Sequence, residues 1–353
     1  MKYLELLVEI HPSRTLTFPQ NPVNTLRGAL GYQLKRVVCF QRNRQETGCR
    51  GCLAKRTCAY ATNFETAAGD GNKFVAGGGG DSPHPLVLGA DFSGPRICQP
   101  GENVSFRFTL FGRAIETLPF ITHALREVCD HGLSRELVPC GLNGIIDAVT
   151  GQRLYDPATH SLQPFTARDI EVAEPTGFRN DVIELTLLFD TPTSFKDKAS
   201  GKIVNRPDFH RIVRSILRRH SAMIALDGLP SPTWDYGSII RQAEAVRLVG
   251  SQLETVFWER VSSRQHQRTT WGGILGKATY HGDLQPFLPL LRVGELLHVG
   301  RGTIFGQGCF RIGKLSACEE FSGDRPTIPD VLCNAPFAGH PDSSEIRLPD
   351  SHT

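Results

Sequence analysis

The order in which apolar periodicities follow one another constrains this chain most, because the same order occurs twice. Tyr3 to Ile10 alternates apolar and polar residues, as a half-buried strand does. Asn21 before Pro22 is an N-cap followed by a first-turn proline, and Leu26, Leu30, Leu34 and Val37 then recur at helical spacing. Strands are predicted near 84–92 and 102–112. A helix is predicted over about 118–131, with Ile121, Ala124, Leu125 and Val128 on one face, and short strands near 136–165. The second half opens with a strand from Val182 to Phe189. Asp208 caps a helix over about 209–227, a further helix covers about 236–249, and Leu253–Val261 and Gly273–Tyr280 read as strands. A helix over 285–298 and a strand from Cys309 to Leu315 complete it. Each half reads β-α-β-β-α-β, so the expected fold class is α+β: two tandem ferredoxin-like (RRM-like) domains. The boundaries fall at 1–170, with a Cys-rich insertion at about 39–82, and at 178–318, followed by an acidic tail over 319–353.

Composition agrees with a packed core. Of 353 residues 40% are apolar and 21% charged, and no apolar run approaches the ~18 residues of a membrane helix. The start, with Lys2 alone before a short alternating stretch, reads as a strand rather than an export signal. The expectation is a soluble, cytoplasmic protein with no membrane partner. Net charge is +3, but residues 319–353 hold seven acids and two bases, which leaves the body at +8. A basic body suits a polyanionic partner.

Glycine is concentrated at Gly300-Arg301-Gly302-Thr303-Ile304-Phe305-Gly306-Gln307-Gly308. Such density permits positive φ and lets backbone N–H groups approach a phosphate. A nucleotide-cofactor loop follows a strand and opens a helix, whereas here the helix comes first and the strand last. That order suits a loop lying along a phosphodiester chain, with Arg301 adding charge; the other reading is a tight connection whose glycines serve packing. Arg211, Arg214 and Arg218 share one helical face beside Arg219, opposite Ile212, Val213, Ile216, Leu217 and Ile224, and a smaller patch holds Arg264, His266 and Arg268. Such stripes neutralise phosphates or are simply solvated.

Ten cysteines without an export signal argue against a disulfide framework. Cys98, Cys129, Cys140, Cys309, Cys318 and Cys333 read as small buried hydrophobes. Cys39, Cys49, Cys52 and Cys58 fall within twenty residues and contain a Cys-x2-Cys pair. In a reduced compartment this spacing predicts a structural metal, zinc first and an iron–sulfur cluster second. The four-glycine stretch Ala76–Asp81 is a low-complexity loop with no assigned chemistry.

The run YHGDLQPFLPLLRVGELLHVGRGTIFGQGCFRI resembles the C-terminal glycine-loop motif of the RAMP superfamily. LRGALGYQLKRVVC, LFGRAIETLPFITHAL and VSSRQ…WGGILG resemble, more narrowly, the CRISPR-associated endoribonucleases that process precursor CRISPR RNA. The similarity spans roughly 1–315. It implies tandem ferredoxin-like units and cleavage within each repeat by the ribose 2′-OH, giving a 2′,3′-cyclic phosphate and a 5′-OH. It also implies CRISPR repeat RNA, and other CRISPR effector subunits, as partners. No catalytic cofactor is needed, since the nucleophile belongs to the substrate. Such cleavage needs a base for the 2′-OH, an acid for the leaving oxygen and a cation near the phosphorane. Histidine suits either proton transfer. Many family members place that histidine in or near the first helix, but 22–38 holds only Tyr32, Lys35 and Arg36. The order of preference is His298, two residues before Gly300, then His11, then His281, with Tyr32 and Lys35 positioning the phosphate and Arg301 or Lys35 on its charge. Two other readings are an RNA-binding subunit that does not cut, and a zinc-dependent DNA-binding regulator.

Overall fold

The computed structural model describes residues 1–18, 21–41, 49, 51–65, 83–90, 95–175, 182–197, 199–262 and 267–317. Arg264, the stretch 76–81, Cys318, Cys333 and the acidic tail lie outside them.

The first unit is built on β1 (Lys2–Pro12), whose even-numbered residues Leu4, Leu6, Val8 and Ile10 are buried. After β2 (Leu16–Phe18) comes α1 (Pro22–Val38), where Asn21 accepts from Val23 N at 2.9 Å and Pro22 supplies the first turn, as the sequence predicts. A short helix, α2 (Ala59–Phe64), precedes β3 (Leu86–Ala90), β4 (Arg96–Cys98) and β5 (Val104–Phe111). The helix α3 (Leu118–His131) stops at Gly132, which takes φ +96°. Then follow β6 (Cys140–Asp147), β7 (Arg153–Asp156), β8 (Ser161–Leu162) and β9 (Arg168–Asp169). The main sheet runs β3-β5-β1-β6-β7-β8, antiparallel, with β9 beside the start of β1 and β2 pairing β4 separately. One face packs on α1 and α3 in a core that includes Leu26, Leu30, Ile121 and Leu125.

The second unit comprises β10 (Val182–Thr193), α4 (Phe209–Leu226), α5 (Tyr236–Ala245), β11 (Arg247–Ser262), β12 (Gln267–His281), α6 (Leu288–Leu297) and β13 (Phe310–Ala317). Its sheet order is β11-β12-β10-β13, all antiparallel. This is a mixed α+β fold with antiparallel sheets. Two predictions need correction. Residues 247–249 are strand, because Arg247 and Leu248 pair with His281 and Tyr280. Likewise 285–287 form a separate 3-10 turn before α6. Asp208 stands at the N-cap of α4, although its side chain makes no capping bond.

The face of the first sheet turned away from α1 and α3 meets the second unit. Tyr3, Val87 and Phe111 pack with Met223, Val293 and Leu297. Arg113 N donates to Asp227 Oδ1 at 3.0 Å and its guanidinium to Leu226 O at 2.8 Å. No described helix is long and apolar enough to cross a membrane.

Candidate nucleic-acid interface

The glycine segment links α6 to β13 and is fixed at both ends. Gly300, Gly302, Gly306 and Gly308 all have φ between +74° and +77°, a region that L side chains rarely occupy. A Cβ on Gly308 would lie 1.8 Å from Val299 O, and one on Gly300 would lie 2.6 Å from Ser194 O. The loop amides are largely committed. Gly300 N donates to Ser215 Oγ, Arg301 N to Ser194 O, Gly306 N to Thr303 O and Gly308 N to Pro192 O. The expectation of a row of N–H groups free for phosphate is therefore corrected at these four positions, where the glycines allow backbone to meet backbone. Arg301 is exposed, as a phosphate contact requires.

This loop is also wedged between the units. Asn21 Nδ2 donates to Phe305 O at 2.9 Å, and the Arg27 guanidinium lies 4.4 Å from the Phe305 ring centre. On its other side Phe305 meets Trp271 edge-on, with ring centres 5.5 Å apart.

His298 does not sit where its sequence position suggests. It is 7% exposed, and its Nδ1 donates to Gln307 O at 3.1 Å. Burial, with Arg219 behind it, pushes its imidazole down to about 3. A ring held neutral inside the protein is not placed to exchange protons with bound RNA, so nearness to the glycine loop in sequence does not make His298 the proton-transfer group. Arg219 is a further surprise: Nε and Nη2 are buried without a hydrogen-bond partner among the described residues, and burial lowers its guanidinium to about 10. His11 belongs to β1 rather than the following loop, pairs with Gly141 and is exposed. His281 ends β12 opposite Glu184 and Arg247.

The predicted arginine stripe divides. Arg214 and Arg218 are exposed, without an ion-pair partner among the described residues, whereas Arg211 pairs with Asp208 at 3.3 Å and Asp197 at 3.8 Å. The five apolar residues of the opposite face are buried as expected.

The four clustered cysteines line one hollow of about 350 Å3 together with Lys35, Tyr60 and Phe120. Among the described residues, however, no three His, Cys, Asp or Glu side chains are gathered to hold a metal ion. Burial and Glu65 push the Cys49 thiol up, with the nearby Cys58 and Cys39 thiols adding to the shift. The zinc and iron–sulfur expectations are therefore not carried forward. Cys98, Cys129 and Cys140 are buried as predicted, while Cys309 is half-buried.

The last turns of α1 hold the grouping that sequence reasoning only half found. Tyr32 is 65% exposed. The Arg36 guanidinium stands 5.9 Å from the Tyr32 ring centre, and Lys35 Nζ 5.2 Å from that of Tyr60. Because α1 and α3 pack together, the last residue of α3 reaches this face. Arg36 Nη1 donates to His131 Nε2 at 3.1 Å, and His131 Nδ1 donates to Glu127 O at 2.9 Å. His131 has no neighbour of interest in sequence beyond Glu127, one helical turn earlier.

The two antiparallel α+β units are joined by contacts to the glycine loop braced between them. Residues 187–310, nearly all of the second unit, match the family model of the CRISPR-associated endoribonuclease Cas6. Residues 1–167 match a family model described as an N-terminal domain. An uncharacterized protein of Archaeoglobus fulgidus is 27% identical over 308 residues, 84% of this chain and 95% of that one. The fold is shared with the product complex of the Thermus thermophilus Cas6 TTHB231, at TM-score 0.54 and 16% identity over 88% of this chain and all of that one. It is also shared with a chain of a partial Cas6-RT-Cas1–Cas2 complex, at TM-score 0.53 and 11% identity over 92% of this chain and 48% of that one.

Proposed function

We propose that this protein is an endoribonuclease that cuts precursor CRISPR RNA within its repeats. The 2′-OH at the cleavage site attacks the adjacent phosphorus, leaving a 2′,3′-cyclic phosphate and a 5′-OH. The observation that carries this reading is the match of 187–310 to the Cas6 endoribonuclease family, a span that includes the whole glycine loop. The strand order, with β1 between β5 and β6 in the first main sheet and β10 between β12 and β13 in the second, supports two tandem ferredoxin-like domains meeting near 170–178. Arg301, Arg214 and Arg218, with Arg211 at the edge, hold RNA phosphates, and the Gly300, Gly302, Gly306 and Gly308 backbone gives the loop its shape. Tyr32 and Lys35 face the scissile phosphate. The similarity to a chain of a Cas6-RT-Cas1–Cas2 complex supports other CRISPR proteins as partners.

End-labelled repeat RNA incubated with the protein in excess EDTA is expected to give fragments of one defined length ending in a cyclic phosphate. His11→Ala and His298→Ala belong beside wild type. The burial of His298 and the lack of any histidine in α1 favour a second reading, an RNA-binding subunit that does not cut. Tight, salt-sensitive binding by a wild type that never cleaves establishes that reading instead.

Tyr32 offers a flat, exposed ring beside a guanidinium, which is a platform for a base flanking the cleaved phosphate. Tyr32→Ala is expected to weaken single-stranded repeat RNA binding by about 1–3 kcal/mol, and Tyr32→Phe by far less. Equal losses in the two variants would assign the hydroxyl, rather than the ring, to recognition.

A further inference from the structure

We infer that His131 is the general base of this reaction, with Arg36 as the cation on the phosphorane and Glu127 steadying the ring. The inference rests on the endoribonuclease reading and names the catalytic group that reading lacks. Its first support is tautomer. Arginine only donates, so a guanidinium nitrogen 3.1 Å from Nε2 requires the lone pair there. Nδ1 then carries the hydrogen, and the Glu127 carbonyl at 2.9 Å takes it. The ring is thus held with its basic nitrogen toward the α1 face that bears Tyr32 and Arg36. Its second support is access: the His131 side chain is 46% exposed, in contrast to buried His298 and His220.

The third support is charge placement. The Glu127 carboxylate lies 3.8 Å from Nδ1, where it favours the imidazolium that forms once Nε2 has taken a proton. The other charged group facing the ring among the described residues comes from α1, the Arg36 guanidinium, which occupies Nε2 in the free protein. A bound phosphodiester draws that guanidinium to itself and leaves Nε2 for the neighbouring 2′-OH. The step balances. Nε2 takes the 2′-OH proton, the 2′-oxygen bonds to phosphorus, and the bond from phosphorus to the 5′-oxygen breaks. The leaving oxygen takes a proton from water, and the imidazolium returns its own to solvent. The helix itself joins the two halves of the interface. Arg27, near the start of α1, lies on Phe305 of the glycine loop, and Arg36 lies about 14 Å further along the axis.

The test compares single-turnover cleavage of repeat RNA by wild type, His131→Ala and His131→Gln in EDTA, with RNA affinity measured in parallel. His131→Ala is expected to lose ~10²-fold or more in rate while keeping its affinity. Added imidazole is expected to restore part of the His131→Ala rate, a response that a structural role does not give. Arg36→Lys, which keeps charge but not the fork, is expected to retain more activity than Arg36→Ala. A cleaving wild type with an equally fast His131→Ala overturns this assignment alone. So does a slow His131→Ala whose affinity falls in parallel and which imidazole does not rescue. A wild type that binds repeat RNA and never cuts overturns both this assignment and the endoribonuclease reading.

Discussion

Gly308→Ala is expected to destabilise the protein by about 4 kcal/mol or more, the range of the most damaging single substitutions. Two costs add. An L residue at φ +77° pays about 1–2 kcal/mol on conformational grounds. The new Cβ also lands 1.8 Å from Val299 O and 2.8 Å from Val299 C, both backbone atoms that cannot rotate aside. Relief requires opening the bond from Val299 N to Gly308 O and the one from Gly308 N to Pro192 O, at about 1 kcal/mol each or more when left unpaired. The control is Gly101→Ala, with φ +75° and nothing within 4 Å of its Cβ, which incurs the conformational cost alone. Gly302→Ala belongs between them, because its Cβ meets the tip of the Trp271 ring, which can shift. Urea midpoints at unchanged m rank the three. A Gly308→Ala variant as stable as Gly101→Ala would show that the loop is not closed on β10 and Val299 in this way. Since the loop also seats Phe305 between Arg27 and Trp271, RNA affinity is expected to fall with stability.

Most elements were legible because their signals are local. Asn21-Pro22 and the 3.6 periodicity place α1 at both ends, and Gly132 marks the stop of α3. The stretch 247–249 reads as helix in sequence because Val246 and Leu248 extend the apolar rhythm of α5, and only pairing with β12 makes it strand. The site was less legible, because its contacts are long-range. Nothing near His131 in sequence points to Arg36, which is 95 residues away. His298 carries a warning in its sequence context, since Leu296, Leu297 and Val299 surround it with apolar side chains that nearness to the glycines does not offset. Glycine density alone is compatible with room for a phosphate or with a tight connection, and at Gly300 and Gly308 the room is occupied by Ser194 and Val299 backbone. Cysteine spacing places the four residues in one neighbourhood, which they share, but spacing carries no information on whether the side chains converge closely enough to hold an ion, and among the described residues no three of them do.

Acid is expected to unfold this protein through two buried histidines before its carboxylates titrate. Burial, assisted by Arg219 and Arg107, pushes His298 down to about 3, against the pull of the Gln307 carbonyl. Burial pushes His220 down to about 4; its ring is stacked 5.5 Å from Trp234, and its Nδ1 has no hydrogen-bond partner among the described residues. Both rings are neutral in the folded protein and take up a proton near 6.5 once unfolded. The unfolded chain therefore binds more protons below 6.5, so the stability these sites contribute is complete above that value and drains as pH falls toward 4. Each histidine accounts for up to about 1.4 kcal/mol per pH unit, so two units of acidification remove up to roughly 5 kcal/mol, comparable to the whole stability of many domains. Glu295, raised by burial against the Ile312 N–H and Arg292, works in the opposite direction and offsets part of this. Asp147 titrates lower: burial raises it, but the Thr150 N–H, Arg168 and the Val149 N–H together hold it below the usual carboxylate range, so its loss comes only in stronger acid. His298→Asn removes one titrating ring and retains an amide able to donate to Gln307 O. It is expected to be less stable than wild type at pH 7, through lost packing, yet to lose stability about half as steeply between pH 6.5 and 4.5. Urea midpoints taken across that window measure both slopes. A wild-type midpoint that does not move, or a variant slope equal to that of wild type, would mean that His298 is protonated in the folded protein and open to solvent. That result would return it to the list of residues able to exchange a proton with RNA.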